Sequence, residues 1–173
     1  TFTRAKASVN RINEVLECDR IISDGSFKAE TPVKGEIEFR NVKFSYPNSS
    51  GMEVLEDISF SVSRGETLAI LGSTGSGKSS LVNLIPRFYD ATEGEVLVDG
   101  VNVRNYNLNS LRDKIAIVLQ KAELYSRSIE ANIRWGKSDA TPWEIKSAAE
   151  IAQADDFICS TPNGYYTPVT EGG

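Results

Sequence analysis

Apolar and polar positions change period several times along this chain. Phe2, Ala5, Val9, Ile12 and Leu16 recur at three- and four-residue steps, which predicts a helix over 1–17 with one apolar stripe. Arg4, Lys6, Arg11 and Glu14 fall mostly on the other side. Asp24-Gly25 and Pro32 interrupt residues 18–35 and predict a linker. The period then becomes two. Glu36-Ile37-Glu38-Phe39-Arg40 and Val42-Lys43-Phe44-Ser45-Tyr46 alternate as strands, before a loop at 47–51. A further strand is predicted over 54–62, ending at Arg64-Gly65-Glu66. Thr67-Leu68-Ala69-Ile70-Leu71 reads as a strand, and Ser80-Leu81-Val82-Asn83-Leu84-Ile85 as a helix stopped by Pro86. Val96-Leu97-Val98 is again a strand, turned back by Asp99-Gly100 in the manner of a hairpin. A short helix over 110–114 precedes the buried-strand pattern Ile115-Ala116-Ile117-Val118-Leu119. From Ser128 onward the pattern is mostly helical, with Trp143, Ile145, Ala148, Ala149, Ala152 and Phe157 supplying apolar faces.

Between the strand at 67–71 and the helix that follows lies Gly72-Ser73-Thr74-Gly75-Ser76-Gly77-Lys78-Ser79, which fits the phosphate-binding pattern G-x-x-x-x-G-K-[ST]. The residue types follow from the task. Glycines let the backbone curl and leave no side chain in the way of a phosphate. Curled N–H groups at a helix start form an anion nest. Lys78 is placed to reach the β and γ phosphates as a mobile point charge. Ser79 offers a hydroxyl to Mg²⁺, a cation that takes few protein ligands. The loop by itself leaves kinases, GTPases and many ATPases open. Asp99 after the apolar run 96–98 could imitate a Mg²⁺-linked acid, but it follows the loop too soon and Gly100 makes it a turn.

Composition narrows the field only modestly. A chain of 173 residues with 40% hydrophobic and 25% charged residues has room for one domain with a core. The net charge of −5 disfavours nucleic acid as a partner. No apolar stretch has the length to cross a bilayer, and no N-terminal segment reads as a secretion signal. Cys18 and Cys159 are far apart and outside any metal spacing, as expected of two reduced thiols. There is no histidine, so a histidine base or switch is not available within these residues.

The residues around the loop resemble an ATP-binding-cassette (ABC) domain. The resemblance rests on Ile37-Glu38-Phe39-Arg40-Asn41-Val42-Lys43-Phe44-Ser45-Tyr46-Pro47, on Val54-Leu55-Glu56-Asp57-Ile58-Ser59-Phe60, and on Gly65-Glu66-Thr67. It continues through Leu84-Ile85-Pro86-Arg87-Phe88-Tyr89-Asp90, Gly94-Glu95-Val96-Leu97-Val98-Asp99-Gly100 and Ile117-Val118-Leu119-Gln120 with Leu124-Tyr125-Ser126-Arg127-Ser128-Ile129. It runs from about residue 36 to the last residue and is closest to the exporter subclass. Arg4-Ala5-Lys6-Ala7-Ser8 and Arg11-Ile12-Asn13-Glu14-Val15-Leu16-Glu17 resemble the segment joining a membrane domain to such a cassette.

The resemblance implies an α/β fold, a P-loop NTPase core of ABC type with an antiparallel β subdomain, incomplete at its C-terminus. Residues 1–34 are then the linker helix and linker from a membrane domain, and 35–173 the N-terminal portion of the nucleotide-binding domain. Tyr46 resembles the aromatic residue that stacks on adenine. Gly72, Ser73, Thr74, Gly75, Ser76, Gly77, Lys78, Ser79 and Ser80 would hold the phosphates of ATP. Gln120 resembles the glutamine that meets Mg²⁺ and senses the γ-phosphate, so Ser79 and Gln120 are the implied metal ligands.

Thr167-Pro168-Val169-Thr170-Glu171-Gly172-Gly173 resembles the exporter X-loop, which touches the membrane domain. Thr170 stands where the family usually has Gly, and Lys121 where an acid commonly follows the glutamine. The implied partners are a second nucleotide-binding domain, as homodimer or heterodimer, and the transmembrane domain of the same transporter, at the cytoplasmic face of a membrane. The family's signature, Walker B carboxylates and switch histidine do not occur in these residues. The 173-residue segment is therefore expected to be soluble, to bind ATP at most, and to expose a sheet edge where the Walker B strand would lie. A soluble mechanical ATPase and a non-catalytic nucleotide-binding module are the alternative functions.

Overall fold

The computed structural model describes residues 2–16, 22–28, 34–47, 49, 51–121 and 124–170. Two compact units divide the chain, 1–116 and 117–173.

In the first unit, helix α1 spans Phe2–Leu16. Its stripe residues Val9, Ile12 and Leu16 are exposed. Four strands follow: β1 (Ile37–Phe44), β2 (Leu55–Val62), β3 (Glu93–Val98) and β4 (Val101–Asn102). They form one antiparallel sheet in the order β2-β1-β3-β4.

The two strands expected at 36–40 and 42–46 are one strand with a bulge. Phe39 and Val42 are both buried while Arg40 and Asn41 between them are exposed, which strict alternation forbids. Asn41 takes φ 45° and absorbs the extra residue. Its backbone N–H donates to Ser59 Oγ and its Nδ2 to Asp57 Oδ1, at 2.8 and 2.9 Å. The predicted hairpin at Asp99-Gly100 is present. Both residues have positive φ, 50° and 78°, as a two-residue turn matching strand twist requires. Asp99 also accepts the N–H groups of Lys34, Gly35 and Glu36, pinning the start of β1 to this turn.

Helix α2 (Lys78–Leu84) lays Leu81 and Leu84 on the sheet. They join Phe39, Val42, Phe44, Leu55, Val96 and Val98 in the core, with Phe39 stacked on Phe60 at 4.6 Å. Burial of each such side chain stabilises by roughly 1.5–3 kcal/mol. Helix α3 (Leu108–Arg112) begins two residues earlier than its apolar pattern implies, because Asn107 caps it through Ser110 N. Residues 22–28 of the expected linker run along this region. Gly25 and Phe27 donate to Tyr106 and Asn105 carbonyls, and Asp24 accepts from Leu108 N.

Two expected strands are not strands here. Residues 67–71 and 115–119 have no ladder partner among the described residues. A parallel strand exists only through its neighbours, and apolar sequence cannot supply them. The result is exposed apolar surface: Leu71 is 92% exposed and Val118 98%.

In the second unit, α4 (Ile129–Ile133), α5 (Pro142–Ile151) and α6 (Asp155–Ser160) bear out the helical pattern after Ser128. Ile145, Ala149 and Ile158 are buried, whereas Trp143 and Phe157 are exposed. Thr141 and Glu144 form a capping box at α5. Residues 167–169 are tied back to 127–129 by Ile129 N to Thr167 O and Val169 N to Arg127 O. Cys159 is a free, exposed thiol. Partial desolvation and the Asp155 carboxylate raise its pKa. Cys18 lies outside the described residues, as do Glu171, Gly172 and Gly173 of the X-loop resemblance.

Candidate nucleotide site

The loop 72–77 leads from residues 67–71 into α2. Gly77 is the N-cap of α2, with φ 83° and no side-chain cap. A Cβ there would lie 2.8 Å from Leu55 Cδ2 and 2.9 Å from the Val54 carbonyl oxygen, so the helix start presses directly on the head of β2. Only glycine fits both the left-handed backbone and that approach.

Lys78 does not extend into solvent. Its ammonium donates to the carbonyl oxygens of Gly72 and Ser73, at 2.8 and 2.6 Å, and to Ser76 Oγ at 3.3 Å. A cation thus sits inside the curl of its own loop, held by partial negative charges. A phosphate group offers the same ammonium stronger, fully charged acceptors. The donor set of the loop therefore fits an anionic oligophosphate. Ser79, the second residue of α2, is exposed.

Ser80 is placed differently from its neighbour. It is buried, and its hydroxyl lies 2.8 Å from the hydroxyl of Tyr46. That contact ties the end of the β1 segment to the first turn of α2. The Tyr46 ring meets Phe44 edge-to-face at 4.8 Å and Tyr89 at 5.1 Å. Tyr46 and residues 72–80 are thus brought together within one unit. Gln120 lies in the other unit and is exposed.

The ABC transporter family model matches residues 55–165, well over half of the chain. This chain belongs to the ABC transporter family. Its ABC domain implies nucleotide binding. It is 45% identical over 175 residues to the Bacillus subtilis ATP-binding/permease protein YgaD, whose name assigns it to multidrug export, covering 100% of this chain and 30% of that protein. It is 40% identical to the ATP-dependent lipid A-core flippase of Haemophilus influenzae, over 99% of this chain and 29% of the flippase. A solved bacterial Atm1-family ABC exporter with ATP bound superposes with TM-score 0.87 at 32% identity, over 98% of this chain and 30% of that one. The chain therefore spans under a third of the length of these exporters, and it matches their ABC domain with an antiparallel sheet beside the phosphate loop. No helix among the described residues is long and apolar enough to cross a membrane.

Two features of this site escape sequence reasoning. The Tyr46–Ser80 contact joins residues 34 positions apart and has no local signal. Tyr89 carries the family resemblance as part of a motif, but its place against Tyr46 emerges only from the fold.

Proposed function

We propose that this chain is the ATP-binding part of an ABC exporter, which couples ATP binding and hydrolysis to export across a membrane. The observation that carries the reading is the contact of Tyr46 with Ser80, in the first turn of the helix that begins with Lys78 at the phosphate loop. Tyr46 would stack on adenine. Gly72, Ser73, Thr74, Gly75, Ser76 and Gly77 would line the triphosphate with backbone N–H groups, and Lys78 would exchange its carbonyl partners for phosphate oxygens. Ser79 would hold Mg²⁺, with Gln120 as its second ligand and γ-phosphate sensor. When bound, Mg²⁺ supplies charge neutralisation for phosphoryl transfer.

The partners in this reading are a second nucleotide-binding domain and a transmembrane domain, with this chain at the cytoplasmic face. Residues 1–34 would be the link from the membrane domain, and 35–173 the nucleotide-binding portion. The exposed apolar side chains of Val9, Ile12 and Leu16 on α1 support that link. So does an apolar groove of about 430 Å³ in the second unit, walled by Leu124, Tyr125, Ile129, Ile133, Phe157 and Val169 beside the X-loop-like segment.

Calorimetric titration with MgATP tests the reading. Saturable binding that Lys78→Ala and Tyr46→Ala each weaken is the expected result. Absence of binding by the folded chain would overturn it.

A further inference from the structure

We propose that Tyr89 is a positioning residue for the nucleotide base, acting through Tyr46 and held in place by a clamp between buried Arg87 and half-buried Asp90. The inference rests on the reading of Tyr46 as the base platform.

A ring that offers one face to a base needs support on its edges and its other face. Tyr46 has such a seat. Tyr89 stands perpendicular to it, at 5.1 Å and 89°, and Phe44 closes the next side at 74°. Tyr89 also leans on Phe44, at 5.6 Å, so the three rings brace one another. Phe44 is fixed by the strand. Tyr89 is not on any regular element, and something else must hold it.

That something is the turn after α2. Arg87 has a side chain only 3% exposed and a left-handed backbone, φ 55°. Its guanidinium grips the Asp90 carboxylate with two bonds, Nε at 2.7 Å and Nη2 at 3.1 Å, and donates a third from Nη1 to the Arg104 carbonyl at 3.0 Å. Arg112 closes the turn from outside, donating to the carbonyls of Pro86 and Arg87. Tyr89 lies between the clamped residues 87 and 90. The far side is sewn to the end of β1 and the residue after it, just before Tyr46: Thr92 N donates to Lys43 O, and Ser45 N to Thr92 Oγ1. A strained, buried arginine is an expensive way to make a turn. Its effect here is to hold the two tyrosine rings perpendicular to each other.

The test compares MgATP with magnesium tripolyphosphate, which fills the phosphate loop without a base. Tyr89→Ala is expected to raise the Kd for MgATP about fivefold, the size of one edge-to-face aromatic pair, and to leave tripolyphosphate unchanged. Tyr89→Phe restores native affinity, and in a Tyr46→Ala background Tyr89→Ala adds nothing. Asp90→Asn, which loosens the clamp and keeps both rings, produces a smaller loss confined to MgATP. The proposal is overturned if Tyr89→Ala leaves MgATP affinity unchanged, weakens both ligands alike, or keeps its full effect without Tyr46. A Tyr46→Ala variant whose ratio of the two affinities is native would instead remove the base-platform reading, and this inference with it.

Discussion

The hydroxyls of Tyr46 and Ser80 lie 2.8 Å apart, joining the end of the β1 segment to the first turn of the helix that begins at the phosphate loop. The contact separates two roles of Tyr46 that a single truncation would merge. Tyr46→Phe removes the hydrogen bond and leaves buried Ser80 without that partner, which costs about 1 kcal/mol of stability. The ring remains, so MgATP affinity stays near native. Urea unfolding alongside titration reads both quantities. A Tyr46→Phe chain that binds as poorly as Tyr46→Ala would show that the hydroxyl, not the ring, is the group that matters.

Lys78 donates to the Gly72 and Ser73 carbonyls of its own loop, and in the proposed reading it would exchange them for phosphate acceptors. Lys78→Ala loses a charge-assisted contact to phosphate, so MgATP affinity falls by at least about tenfold. Tripolyphosphate affinity falls with it, in contrast to the Tyr89 variants. Equal loss for both ligands in calorimetry is the expected pattern.

Gly77→Ala acts on fold and site together. The left-handed backbone alone costs about 2 kcal/mol with a Cβ, and the clash with Leu55 and Val54 pushes α2 off β2. A lowered urea midpoint with weakened phosphate binding is expected. A midpoint equal to native would contradict the close approach.

Stability in acid should carry the mark of the α5 cap. The Lys137 ammonium, then the backbone and side chain of Thr141, hold the Glu144 carboxyl down at about 2. A depressed carboxylate contributes above its unfolded pKa, about 4.3, and that contribution is lost as pH falls through the folded value. The stability gap between native and Glu144→Gln chains is therefore widest near neutrality and closes from about pH 4 down to about pH 2. Thermal melts across that range measure it.

The unpaired segment 67–71 exposes Leu68, Ile70 and Leu71, with Leu71 92% exposed. Such a segment favours self-association. Leu71→Lys should lower the sedimentation-weighted mass at high concentration and shift stability by less than about 0.5 kcal/mol, since it removes no packed atom. An unchanged mass distribution would place the association elsewhere.

What was written in the sequence is local. The phosphate loop is legible because Gly, Lys and Ser must stand at fixed spacing for backbone and ammonium to meet one anion. The Asp99-Gly100 hairpin and the α5 capping box are legible for the same reason, since each is closed within four residues. The strand character of 37–40 and of 55–62 also follows from period, whereas the antiparallel sheet was implied by the family resemblance.

The tertiary structure decided what depends on distant partners. The bulge at Asn41 appears only because Ser59 and Asp57 receive it. Residues 67–71 and 115–119 are apolar enough to be strands, yet a strand is a relation between two segments and no described neighbour completes it. The seat of Tyr46 draws on Phe44, Ser80 and Tyr89, three positions with no common period. Short-range sterics and hydrogen bonds are encoded in adjacent residues, whereas packing is decided by whichever surfaces the folded chain brings into contact.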